Sequence, residues 1–215
     1  LTADDDEIVR TDNAQIATIA LSLMSYRSYL RENMAPEFFV GHSLGEFTAL
    51  VAAGVISLED GSRVVAARGR SMAEAADLVP GTMAALMGGS NGNIDRILEL
   101  DGIWLGNVNG PDQIVISGRV DALERLEEDI ASYGWKRCRL LRVGGAFHCP
   151  LMQPAEHSLR ETLSSVTFHE TESTVYANVD GLARHGGEEW RELAARQLTE
   201  PVQFLDCIRN AAHDV

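Results

Sequence analysis

With 215 residues, 45% of them hydrophobic, the chain has the material for a real core, so one domain, or one domain with a small insert, is expected rather than a disordered chain. A formal charge of -14 argues against a nucleic-acid partner, because a surface that tracks a phosphate backbone needs clustered positive charge. No apolar run reaches the ~18 residues that cross a bilayer and no leader opens the chain, so no membrane partner is expected.

In chain order, "LTADDDEIV" reads as an acidic, poorly ordered start. Asp12 followed by Gln15 resembles a helix start, and Ile16, Ile19, Leu23, Tyr26 and Leu30 then recur at helical spacing, predicting a helix over 13–32. A short apolar strand over 37–41 meets a helix over 46–53, ended by Gly54. Ser57 and Asp60 open the next helix, which runs to about Ala76 before Pro80-Gly81 breaks the chain. From Thr82 the elements shorten: strand 82–87, helix 93–100, strands 103–108 and 113–118, helix 120–133, strand 136–143. Their order, βαββαβ, is the ferredoxin-like arrangement and reads as a subdomain over 82–143, inserted between the core segments 1–81 and 144–215. A helix over 151–164, a strand over 173–178 and a helix over 187–197 follow, and the closing stretch "IRNAAHDV" comes after what reads as another helix.

Gly41-His42-Ser43-Leu44-Gly45 matches G-x-S-x-G where a strand runs directly into a helix, which forces a tight turn and leaves Ser43 Oγ exposed at the helix N-terminus. There the helix dipole and the Leu44 amide face a developing oxyanion. The alternative is a small-residue turn that lets helix pack on sheet; strand and helix together favour the nucleophile. Of six histidines, His148 in the glycine-led loop "GGAFHCPLM" is the candidate base, whereas His42 adjoins Ser43 and should diverge from it, and His169, His185 and His213 lie in polar stretches. Arg68 falls on the inward stripe of its helix with Val64, Val65 and Met72, so it needs an anion, either a protein carboxylate or a ligand's. Asn107 and Asn109 either bind a carbonyl or cap a turn, and Gln197 is either a site residue or a polar helix end. Cys138, Cys149 and Cys207 are odd in number with no CxxC pair, which points to reduced thiols in the cytoplasm and no metal site.

The blocks "GHSLGEFTALVAAGVISLEDGSRVVAARGRSM", "NVNGPDQIVISG", "GAFHCPLM" and "RQLTEPVQF" resemble, in the same order, those of the malonyl-CoA:acyl-carrier-protein transacylases and the acyltransferase domains of polyketide and fatty acid synthases. The resemblance implies an α/β fold with an α/β-hydrolase-like core. It makes Ser43 the acylated nucleophile, His148 its base held by a backbone carbonyl, and Leu44 an oxyanion donor. It makes Arg68 the ligand of the malonyl carboxylate, with His42, Asn109, Phe147 and Gln197 lining the substrate site. Phe147 after Ala146 resembles members that select malonyl over an α-methyl analogue, worth only ~1 to 3 kcal/mol.

The implied reaction takes malonyl-CoA, passes the acyl group to the phosphopantetheine of an acyl carrier protein, and requires no bound cofactor. The family's glycine- and glutamine-rich first strand and its C-terminal part are missing from the sequence, so a piece trimmed at both ends is expected. Neighbouring synthase domains are possible partners. An acidic carrier needs a local basic patch, for which Lys136, Arg137, Arg139 and Arg142 are the candidates. A serine hydrolase of acyl thioesters and a non-catalytic megasynthase domain are the competing readings.

Overall fold

The computed structural model describes residues 11–89 and 91–214, and the acidic opening stretch lies outside them. The fold is α/β, with the strands in two sheets. The first holds β1 (Phe38–Val40), which pairs parallel with β6 (Glu170–Tyr176), and β7 (Ala183–Gly186), antiparallel to β6. Helices α1 (Thr11–Tyr29), α2 (Leu44–Ala52), α3 (Leu58–Leu78), α6 (Gln153–Leu163) and α7 (Glu189–Arg196) bury their apolar faces in one core with these strands, among them Leu50, Val64, Leu159, Val175 and Trp190. Ser57 Oγ accepts the Asp60 amide at 3.0 Å and so caps α3, as its sequence suggests.

The second sheet is antiparallel throughout, in the order β3 (Ile103–Gly110), β4 (Gln113–Gly118), β2 (Thr82–Met87), β5 (Arg137–Leu140). On one face Leu86 and Ile116 pack against Ile97 of α4 (Asp95–Leu98) and Leu123 and Leu126 of α5 (Val120–Asp129). On the other, Met83, Ala85 and Val115 receive Leu141 and Phe147 from the chain entering the site. The segment before α8 (Phe204–Asp214) stitches the two halves together: Val108 donates its amide to Val202 O, and Val202 donates its own to Gly106 O, both at 2.8 Å.

Several elements differ from the sequence reading, each for a local reason. Gln15 is not a helix-start residue: its side chain is buried, donating to Met72 Sδ at 3.3 Å and accepting from Arg68. Of the expected α1 stripe only Ile19 is buried, while Ile16 and Leu30 are exposed. The helix over 93–100 contracts to one α-helical turn, because Gly102 with φ 79° turns the chain into β3. α5 tightens into a 3-10 turn over Ile130–Tyr133 and ends on Gly134, φ 81°. The strand over 136–143 stops at Leu140, where the Val143 amide turns back to Leu141 O. "ARHG" forms β7 without any apolar alternation, and most of "IRNAAHDV" belongs to α8 itself. Among the described residues no helix is long and apolar enough to cross a membrane.

Candidate active site

β1 delivers the chain into the turn Gly41-His42-Ser43, and α2 begins at Leu44. A Cβ on Gly41 would lie 2.0 Å from the Gly45 carbonyl, so the turn folds flat onto the first helical turn only because residue 41 has no side chain. Gly45 is not needed in the same way, since a Cβ there would meet nothing within 4 Å. Ser43 takes φ 53° and ψ -108°, a backbone strain of about 1 to 3 kcal/mol that its surroundings must hold. Asn178, just past β6, does so: its Oδ1 accepts the Ser43 amide and its Nδ2 donates to Gly41 O, both at 2.7 Å. The Gly45 and Glu46 amides turn back to His42 O and Ser43 O, leaving the Leu44 amide as the donor at the helix start.

His148 arrives from the opposite side on the loop after β5. Gly145 abuts Ala76 and the Phe147 ring, Cys149 Sγ donates to Ala146 O at 3.2 Å, and His148 itself has φ 58°. Its Nε2 lies 2.8 Å from Ser43 Oγ and its Nδ1 lies 2.7 Å from Gln197 O. The carbonyl can only accept, so Nδ1 carries the proton and Nε2 is left as an acceptor for the serine hydroxyl.

Arg68 is buried, with its guanidinium over the Phe47 ring. It donates to Gln15 Oε1 at 2.7 Å, to Gln197 Oε1 at 2.9 Å and to Ser43 Oγ at 3.0 Å, all neutral oxygens. Among the described residues no carboxylate lies within ion-pair distance of it, and its Nε has no acceptor. Arg68 and Ser43 open onto a cavity of about 260 Å³ that Gln15, Leu44, Met72, Arg142 and Phe147 also line. His42 diverges from the serine as expected, its Nε2 bonding Asn109 Oδ1 at 2.8 Å beside the Phe204 ring. His169, His185 and His213 are exposed.

Over residues 1–215 the sequence matches the family described as the acyl transferase domain. The chain belongs to that family. It is 35% identical over 210 residues to a malonyl CoA-acyl carrier protein transacylase of Bacillus subtilis, covering 95% of this chain and 66% of that one. Among solved structures, a malonyl-CoA:acyl carrier protein transacylase from Xanthomonas oryzae superposes with a TM-score of 0.92 at 33% identity, covering 99% of this chain and 69% of that one. A malonyl-transacylase in complex with a type II PKS acyl-carrier protein superposes at 0.91 with 33% identity, covering 99% and 71%. The acyl transferase domain thus spans about two thirds of the length of these relatives.

The electrostatics of this acyl transferase domain follow from burial. Desolvation, with the Arg68 charge adding to it, depresses His148 to about 3, so the imidazole is neutral at ordinary pH. Arg68 falls only to about 10 and stays cationic. Glu46 is pushed up to about 7 by desolvation. Sequence reasoning missed Gln15, Glu46 and Asn178. The signal for two of them was available: Gln15 precedes Ile19 by one helical turn, and Glu46 precedes Leu50 by one, so each belongs to an inward stripe. Asn178 carries no such mark, standing at the end of an apolar run where a turn residue is ordinary. Among the described residues no group of three or more His, Cys, Asp or Glu side chains is placed to hold a metal ion.

Proposed function

We propose that this acyl transferase domain moves a malonyl group from malonyl-CoA to the phosphopantetheine thiol of an acyl carrier protein, through an ester on Ser43. The observation that carries the reading is Arg68: a buried cation, held only by neutral oxygens, 3.0 Å from a serine that also faces a neutral histidine. A buried guanidinium in that state lacks a directly bonded carboxylate, Glu46 reaching it only through Gln197, and the free carboxylate of a malonyl group would supply one.

In the proposed mechanism His148 Nε2 takes the Ser43 proton as Oγ attacks the thioester carbon, while Gln197 O stabilises the imidazolium through Nδ1–H. The Leu44 amide faces the tetrahedral oxyanion. Collapse breaks the C–S bond, and His148 returns its proton to the coenzyme A thiolate. The carrier thiol then gives a proton to His148 and attacks the seryl ester; the C–O bond breaks and His148 Nε2 passes that proton to the departing Ser43 Oγ. Phe147, packed against the β2–β4 face and lining the cavity, supports a small α-position on the acyl group. Lys136, Arg137, Arg139 and Arg142 are all exposed along the β5 edge and the chain leaving it, and Arg142 lines the cavity, which supports this stripe as the face for an acidic carrier.

Intact-protein mass spectrometry after mixing with malonyl-CoA tests the reading. A malonyl adduct is expected that vanishes onto added carrier protein and is absent from Ser43→Ala; an adduct retained by Ser43→Ala, or lost to water without loading the carrier, would overturn it.

A further inference from the structure

Glu46 takes no part in that mechanism, yet among the described residues it is the one carboxylate buried completely, and both its oxygens are committed. Oε1 accepts the Asn178 amide at 2.6 Å, and Oε2 accepts from Gln197 Nε2. The Gln197 carboxamide has two unlike ends: Nε2 faces Glu46 and also Ser43 O at 3.0 Å, and Oε1 faces Arg68 Nη2 at 2.9 Å. Rotated by half a turn, it would set an NH2 group against the guanidinium, donor on donor. Ser43 O asks for the same orientation, but the charge-assisted bond to Glu46 is the stronger hold.

We infer that ionised Glu46 is a positioning residue that, through the Gln197 carboxamide, aims the Arg68 guanidinium at the carboxylate of the acyl group. The inference rests on the malonyl reading above. A protonated Glu46 offers a donor where Gln197 now finds an acceptor, and the same is true of a glutamine at this position, because Asn178 N–H claims the remaining oxygen. The titration lies in an accessible range: desolvation raises Glu46 to about 7, Asp180 beyond β6 raises it further, and the Asn178 and Gln197 bonds and the Arg68 charge on α3 oppose the rise. Cys207 on α8 faces it as a neutral thiol pushed up to about 12, and His148, at about 3, keeps one charge state through this window.

The readout is the ratio of kcat/KM for malonyl-CoA to that for acetyl-CoA, in which the ionisations of coenzyme A cancel. Glu46→Gln is expected to lower the ratio about tenfold or more, toward the value for Arg68→Ala, whatever its effect on acetyl-CoA turnover itself. A structural role would lower both donors equally, and that result, or an unchanged ratio, overturns the inference. Should Glu46→Gln not fold, the unmodified protein decides: its ratio is expected to fall with a midpoint near the Glu46 value of about 7 as pH is lowered, and a flat ratio overturns the inference. A protein that forms malonyl ester but shows the flat ratio removes this inference alone; one that forms no ester removes the functional reading and this inference with it.

Discussion

Two buried side chains of the site titrate in opposite senses, and the stability of the fold should record both. His148 is held from its ordinary 6.5 to about 3, so between those values the unfolded chain binds one more proton than the folded one and stability rises with pH. Glu46 is raised from 4.5 to about 7, so over that interval the folded state holds the extra proton and stability falls with pH. From 4.5 to 6.5 the two slopes oppose each other. Glu46→Gln removes one of them, so the unfolding free energy of this variant, taken from urea titration, should climb with pH across that range, by up to ~1.4 kcal/mol per unit, relative to the parent. An unchanged profile would place the Glu46 titration elsewhere. At this scale the sequence exposes what is periodic or framed by a motif. Ser43 stands in G-x-S-x-G and Arg68 repeats with Val64 and Met72, whereas Asn178 is visible only once β6 brings it beside Gly41.

The strand-turn-helix element around Ser43 depends on its two glycines unequally. Gly41→Ala drives a methyl into the Gly45 carbonyl, backbone against backbone, and should cost about 3 kcal/mol or more in a denaturant titration. Gly45→Ala meets open space inside a helix and should leave the melting temperature level or raise it, since alanine is the better helix former by about 1 kcal/mol. Equal losses at the two positions would contradict this geometry. Spacing alone could not separate them, because G-x-S-x-G treats its glycines alike. The same limit applies to the other elements. β2 and β4, framed by Pro80-Gly81 and by Pro111-Asp112, keep the bounds their apolar runs predict. β7 carries no such pattern, and forms because β6 offers it an unpaired edge.

For the whole molecule, net charge and local charge point in opposite directions. The chain is formally -14, yet Lys136, Arg137, Arg139 and Arg142 stand exposed together where β5 edges the second sheet. If this edge receives the carrier, Arg137→Glu with Arg139→Glu should raise the KM for carrier protein about tenfold at low salt, with the loss shrinking as salt is added. Formation of the acyl-enzyme from malonyl-CoA should stay unchanged, since Arg142 at the cavity is untouched; equal damage to both half-reactions would move the carrier elsewhere.

The seam at Val202 gives that arrangement a mechanical meaning. Val202 is laced to β3 on both of its backbone groups, and only Leu198 to Pro201 separate it from the carbonyl of Gln197 that holds His148. Ser43, by contrast, is anchored to Asn178 within the first sheet's side of the molecule. The same segment reaches that anchor as well, since the Gln203 amide donates to Asn178 O and Gln197 Nε2 donates to Ser43 O, so one short stretch of chain, pinned to the second sheet at Val202, spans both Ser43 and His148.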